Sequence, residues 1–217
     1  MERQAWIAGG AFAVSALLFG GIVLALPDAG PLAVDRQAAE AIQSMGQQGE
    51  QLWEAVTNLG SSTVIVAAAL LYSIWFGLHR RTWAALYIPA SGIVAYVINQ
   101  LLKGWVDRPR PAGAWGIEVD GSSFPSGNAM LAMAVYGTIT ASFVLYALAG
   151  RAAKWIASTV GIIGIACVGF SRLFFGVHYL SDIAAGYAAG ALVMLPALHL
   201  IHHTLHRNPR VNRSHSV

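Results

Sequence analysis

Between two long apolar runs the chain reads Ser171-Arg172-Leu-Phe-Phe-Gly-Val-His178-Tyr-Leu-Ser-Asp182. Ionisable groups within or beside a membrane span are costly and so mark function by default. His178 and Asp182 are four apart. If a helix runs through them they share a face, and the carboxylate can hold one ring nitrogen of the imidazole. The other nitrogen is then free to act as a base or a nucleophile. Arg172 offers a fork of donors that suits a phosphate. The same residues would also serve as a buried ion pair that fastens two helices.

Two further stretches carry chemistry. Lys103-Gly-Trp-Val-Asp107-Arg108-Pro109-Arg110-Pro111 places three cations within eight residues and stiffens them with two prolines. A lysine is a point charge and an arginine a bidentate fork, so the cluster fits either an anion cradle or contact with lipid headgroups. Ser122-Ser-Phe-Pro125-Ser126-Gly127-Asn128 reads as a turn feeding a helix. Backbone N–H groups at such a helix start favour an anion, with the Ser126 hydroxyl beside them, although proline and serine also begin ordinary helices.

The elements that must position these residues are membrane spans. Of 217 residues 56% are hydrophobic and 11% charged, with mean hydropathy +0.58, against about 25% charged for a soluble domain. The pattern predicts an all-α bundle of six transmembrane helices in one domain, 1–217, with spans at about 5–26, 63–78, 83–102, 125–149, 155–170 and 177–202. The first run, followed by Pro27 and Asp28 without a clear small-residue cleavage site, reads as a retained span and not a cleaved signal. Between spans one and two, Ala39, Ile42, Leu52, Val56 and Leu59 suggest one or two short amphipathic helices on the membrane surface, which could also cap a site. The segment from His203 to Val217 reads as a basic, frayed tail. The single cysteine, Cys167, excludes an internal disulfide and reads as a small packing residue.

Orientation follows from the positive charge. Six spans put both ends of the chain on one side, with Arg3, Arg80, Arg81, Arg151, Lys154, Arg207, Arg210 and Arg213, 8 of the 13 basic residues. That side is therefore expected to be cytoplasmic in a plasma membrane. The outer side holds Arg36, Lys103, Arg108, Arg110 and Arg172, and every acidic residue except Glu2. The three chemical stretches meet on that side. The basic residues form no stripe of the kind that binds nucleic acid. A transporter would want polar residues at mid-bilayer depth in several spans, whereas here they gather at one face.

Taken together the three stretches resemble the signature of the type 2 phosphatidic acid phosphatase family, integral-membrane lipid phosphatases. Lys, six residues and Arg-Pro fit Lys103 with Arg110-Pro111; Pro-Ser-Gly-His fits Pro125-Ser126-Gly127; Ser-Arg, five residues, His, three residues and Asp fit Ser171-Arg172, His178 and Asp182. The resemblance implies a lipid phosphate or isoprenyl diphosphate as substrate, hydrolysed at the outer leaflet. It implies His178 as the nucleophile that becomes phosphohistidine and Asp182 as the carboxylate orienting it. Lys103, Arg110 and Arg172 become the cations on the phosphoryl oxygens, with Ser126 and the Gly127 amide as donors completing the cradle. It implies no cofactor and no metal, and Asp107, Glu118 and Asp120 are the nearest acidic residues that could have offered one.

One position departs. Where the family's second motif ends in histidine, the general acid and then base, this chain has Asn128. An amide donates a hydrogen bond but cannot give up and retake a proton at neutral pH. Losing a general acid costs about 10²–10⁴-fold. His79, His199, His202, His203 and His206 are expected at the cytoplasmic end, too far to substitute. Asn128 is then a substitution that traps substrate, a variant in an enzyme whose leaving group needs no acid, or the mark of a catalytically impaired protein that binds lipid phosphates. A diphosphate, whose leaving group is itself a phosphate, suits the second reading.

Overall fold

The computed structural model describes residues 2–27, 30–46, 49–80, 82–111 and 119–207, and all regular structure among them is helical. Asp28, Arg81, Glu118, Arg210 and Arg213 lie outside the described residues. Six helices are long and apolar enough to cross a membrane. They are α1 (Glu2–Ala25), α4 (Ser62–Arg80), α5 (Tyr87–Val106, preceded by a 3-10 turn at Trp83–Leu86), α6 (Gly127–Tyr146), α7 (Arg151–Phe174) and α8 (Leu180–Arg207). The polar stretch between α1 and α4 forms two short helices, α2 (Ala33–Ser44) and α3 (Glu50–Leu59).

Span ends differ from the hydropathy reading in a consistent way. α7 and α8 run through Arg172 and on to Arg207, because helical hydrogen bonding continues past the apolar core and long cationic side chains can reach its edge. So His203 to Arg207 are helical and not a frayed tail. The fourth span starts at Gly127, two residues after Pro125, and carries a π turn at Ala132–Tyr136. The Ala134 carbonyl within that turn accepts from the Thr138 hydroxyl at 2.6 Å and the Ser91 hydroxyl at 3.4 Å. π turns of this kind recur beside functional sites.

α8 is the hub, packing on α1, α5 and α6. Its buried side is built from Ala185, Gly186, Ala188, Ala189 and Gly190, and small residues let backbones approach. A Cβ on Gly186 would stand 2.6 Å from the Ser126 carbonyl, and one on Gly190 2.5 Å from the Met130 carbonyl. Backbone cannot swing away as a side chain can, so Gly186→Ala is expected to push the Pro125-Ser126-Gly127 turn off α8. We expect a loss of about 1–3 kcal/mol, read as a lower melting temperature in detergent. An unchanged melting temperature would show that the two helices separate freely.

α2 and α3 are held down at one end of the bundle. Ile42, Phe174, Phe175 and Val177 form a separate apolar cluster, with Trp53, Phe170 and Leu173 packed against it. The Trp53 and Phe170 rings are 4.5 Å apart. Leu52 and Leu59 are exposed, while Trp53 is the residue of α3 that packs on the aromatic rings of α7. The two short helices therefore sit over the ends of α7 and α8, where the chemical residues gather.

Candidate active site

Lys103 at the end of α5, Ser126 and Gly127 at the start of α6, Arg172 at the end of α7 and Asp182 in the first turn of α8 all lie at one end of the bundle. The opposite end holds Arg80, which donates to the Tyr146 carbonyl at 3.2 Å where α6 stops. His199, His202, His203 and His206 lie in the last third of α8, at that far end.

His178 is not on a helix. It lies in the loop ahead of α8, and the spacing of four to Asp182 has another cause. Asp182 is the third residue of α8, and its Oδ2 accepts from the Tyr179 amide at 2.8 Å. This is an acidic residue reaching back to close the helix start. The ring of His178 is held first by the Ser123 carbonyl, 2.9 Å from Nδ1. Asp182 Oδ2 lies 3.7 Å from the same nitrogen and also accepts from the Ser123 hydroxyl. The carbonyl can only accept, so Nδ1 carries the proton and Nε2 is left with its lone pair. Nε2 faces Arg110, whose Nη1 is 3.4 Å away. His178 is 3% exposed. Burial pulls its pKa below the usual 6.5, Asp182 opposes that pull, and the Arg110 and Arg172 charges add to it. It is therefore held neutral, the state in which an imidazole can act as a nucleophile.

The cations divide into two kinds. Arg110 donates to backbone carbonyls, to Val177 at 2.9 Å, Gly121 at 3.0 Å and Asp120 at 3.3 Å. Arg172 donates to the Thr57 hydroxyl of α3 at 2.9 Å. Neither has a carboxylate partner within salt-bridge distance among the described residues, and the Lys103 ammonium has no ion pair there either. Arg108 is different. It is 4% exposed and salt-bridged to Asp35 at 2.9 Å and Asp182 at 2.5 Å. The cradle read as three cations from one loop is therefore two, Lys103 and Arg110, with Arg172 as the third from elsewhere.

Three buried groups lack partners among the described residues at this end, the Ser126 hydroxyl, Arg172 Nε and, behind the site, Arg108 Nε. Buried polar groups are ordinarily satisfied, so a hydroxyl and a guanidinium left open beside a neutral imidazole fit an oxyanion that would take both. The turn carrying Ser126 is fixed by its amide, which donates to the Asp182 carbonyl at 3.0 Å, and by buried Asn99 of α5, which donates to the Pro125 carbonyl at 3.2 Å. A Cβ on Gly127 would stand 2.9 Å from Asn99 Oδ1, so a side chain there would displace the Asn99 amide that holds the turn.

Asn128 does not hang free. Its Nδ2 donates to the Gly60 carbonyl at 2.8 Å, tying α6 to the junction of α3 and α4. Asp107 and Asp120 form no cluster of three or more metal-ligating side chains with other described residues. The residues missed from sequence are Asp35, Thr57, Asn99, Ser123 and Ser181, together with the true role of Arg108. Asn99 alone had a signal, as an amide in an apolar span.

The PAP2 superfamily model matches residues 83–206. Phosphatidylglycerophosphatase B of Bacillus subtilis is 29% identical over 164 residues, covering 73% of this chain and 80% of that protein. Decaprenylphosphoryl-5-phosphoribose phosphatase of Mycobacterium tuberculosis is 36% identical over 129 residues, 58% of this chain and 64% of that protein. Among solved structures, a transmembrane PAP2-type phosphatidylglycerolphosphate phosphatase from Bacillus subtilis superposes with a TM-score of 0.76 at 24% identity, over 90% of this chain and 96% of that one. That likeness concerns the fold.

Proposed function

The chain belongs to the PAP2 superfamily, and from that premise we propose that it is a single-domain membrane lipid phosphatase. Its reaction is hydrolysis of a phosphate or diphosphate at the outer leaflet, through a phosphohistidine at His178. The observation that carries the reading is the pairing of a buried neutral imidazole with three cations that have no carboxylate partner among the described residues, beside an open buried hydroxyl. Such a site is built for an anion with several oxygens.

Nε2 of His178 attacks phosphorus as the bond to the lipid oxygen breaks. Nδ1–H stays on the Ser123 carbonyl, with Asp182 close behind to balance the charge the ring acquires. Lys103, Arg110 and Arg172 neutralise the phosphoryl oxygens, and Ser126 and the Gly127 amide donate to them. The lipid group departs with the electron pair of the broken bond, as a phosphate or as an oxyanion that takes a proton from solvent. Water then attacks phosphorus, the phosphorus–nitrogen bond breaks and returns its electron pair to Nε2, the water's protons leave on inorganic phosphate and to solvent, and the imidazole returns neutral. Positioning and charge do most of such work. Below the site, an apolar cleft of about 540 Å³ opens between α6, α7 and α8, lined by Met133, Val144, Ile162 and Met194 among others. It suits an acyl or isoprenyl chain.

Asn128, engaged on Gly60, has no proton to pass. That favours a leaving group of low basicity, as in undecaprenyl diphosphate, over the alkoxide of phosphatidic acid or phosphatidylglycerol phosphate. The names of the relatives point to phosphate monoesters, so the substrates must be compared directly. Purified protein in liposomes is expected to release phosphate from undecaprenyl diphosphate faster than from phosphatidic acid. The reverse order removes the leaving-group argument. Binding of every lipid phosphate with release from none replaces the enzyme by the second reading, a lipid-phosphate-binding protein.

A further inference from the structure

We propose that Asp35 is a positioning residue of this site: by sharing Arg108 with Asp182 it fixes the carboxylate behind His178, and so makes the surface helix α2 a working part of the phosphatase. The inference rests on His178 as nucleophile and goes beyond the motif residues.

Asp35 and Asp182 do the same job twice. Each is the third residue of its helix and each closes the helix start, Asp35 by accepting from the Leu32 amide at 3.0 Å and Asp182 from Tyr179 at 2.8 Å. Arg108 joins them. Its Nη1 donates to Asp182 at 2.5 Å and to the Ser181 hydroxyl at 2.8 Å. Its Nη2 donates to Asp35 at 2.9 Å and to the Gly30 carbonyl at 3.1 Å. The guanidinium lies 4.2 Å over the Tyr179 ring. Asp35 also takes the Ser181 amide and hydroxyl, each at 2.8 Å. It thus grips both the cation on Asp182 and the residue preceding Asp182. Although burial works against it, the bonds from Ser181, Arg108 and Leu32 hold its carboxyl below the ordinary value, so it is charged.

Buried ion pairs contribute little net stability compared with apolar packing, and α2 already has Ile42 in an apolar cluster for adhesion. What the triad adds is charge control. Two carboxylates around one guanidinium leave one negative charge in excess beside the imidazole. Without Asp35 the whole of Arg108 falls on Asp182, and the carboxylate offers less to a ring turning cationic. The groups facing His178 are Asp182 from α8, Arg172 from α7, Arg110 from the loop after α5 and Tyr179 alongside, with Asp35 across a cavity of about 60 Å³ that α2 and the His178 loop both line. Lys103 stands further round on α5.

The test is Asp35→Asn, which keeps the shape and removes the charge. It is expected to lower kcat about tenfold to a hundredfold with KM little changed, since no phosphate-binding cation is touched. The titration midpoint of His178, followed by NMR of labelled histidine in detergent and assigned with His178→Ala, is expected to move to lower pH. Asp35→Glu should recover part of both. If Asp35→Asn does not fold, Arg108→Lys carries the test, since one ammonium cannot reproduce the two separate Nη groups that fix Asp35 and Asp182 in register, and a kcat loss with KM little changed is again expected. An unmoved midpoint with a kcat loss explained by the unfolded fraction overturns the proposal and leaves Asp35 as a strap for α2. If the unaltered protein releases no phosphate, the phosphatase reading fails, while the His178 midpoint still decides whether Asp35 acts on the ring.

Discussion

Replacing His178 by alanine is expected to cut phosphate release by at least about 10³-fold, the scale on which losing a nucleophile acts. On the proposed mechanism the substitution removes the atom that bonds to phosphorus, Nε2, whose lone pair is kept free because Nδ1–H is spent on the Ser123 carbonyl at 2.9 Å. It leaves Lys103, Arg110, Arg172 and Ser126 in place. Binding of a lipid phosphate should therefore survive. Two measurements separate this from general damage. Rapid acid-free denaturation after mixing with labelled substrate should trap phosphate on the unaltered protein and none on His178→Ala. Lipid-phosphate binding should persist in the variant. Retained turnover in His178→Ala would remove the phosphohistidine from the mechanism altogether.

The motif residues were legible because their chemistry is incompatible with their surroundings. An arginine, histidine and aspartate between apolar runs stand out whatever the fold, and alternating spans bring the ends of α5 and α7 and the starts of α6 and α8 to one side. Partnership was not legible. Nothing in Lys103–Pro111 tells which of three cations will be consumed by carboxylates, and Arg108 is consumed by Asp35 and Asp182, 73 and 74 residues away. Asp35 looked like one of several acidic residues in a surface stretch, since its partners are set by how α2 docks. The spacing of His178 and Asp182 suggested one helix face, whereas Asp182 closes the start of α8 and the helix begins only at Leu180. Spacing constrains distance along the chain; which backbone groups remain unpaired at a helix end decides where the side chain turns.

Asn128→His is expected to raise hydrolysis of phosphatidic acid by about 10²–10⁴-fold, the usual worth of a general acid, and to change undecaprenyl diphosphate hydrolysis far less. The geometry favours the substitution. Asn128 Nδ2 is one bond beyond Cγ, as Nδ1 is in histidine, and it already donates to the Gly60 carbonyl at 2.8 Å. A histidine in the same rotamer would place Nδ1–H on that carbonyl, fixing its tautomer and leaving Nε2 open to exchange a proton. Gly60 itself has no room for a side chain, since a Cβ there would stand 2.6 Å from Val168 Cγ1, but Asn128 is only half-buried and a ring can extend from it. The new acid must be protonated to serve the leaving group, so kcat of the variant should fall as pH rises through its pKa, a limb that the unaltered protein lacks. The contrast between substrates is the decisive part. Acceleration confined to the alkoxide leaving group means that this chain is selective because Asn128 supplies no proton. Equal acceleration of both means that the missing acid limits every reaction and that the site as it stands is impaired. No acceleration of either would mean that the residue at position 128 serves to tie α6 to Gly60 and that leaving-group protonation is not what limits the rate.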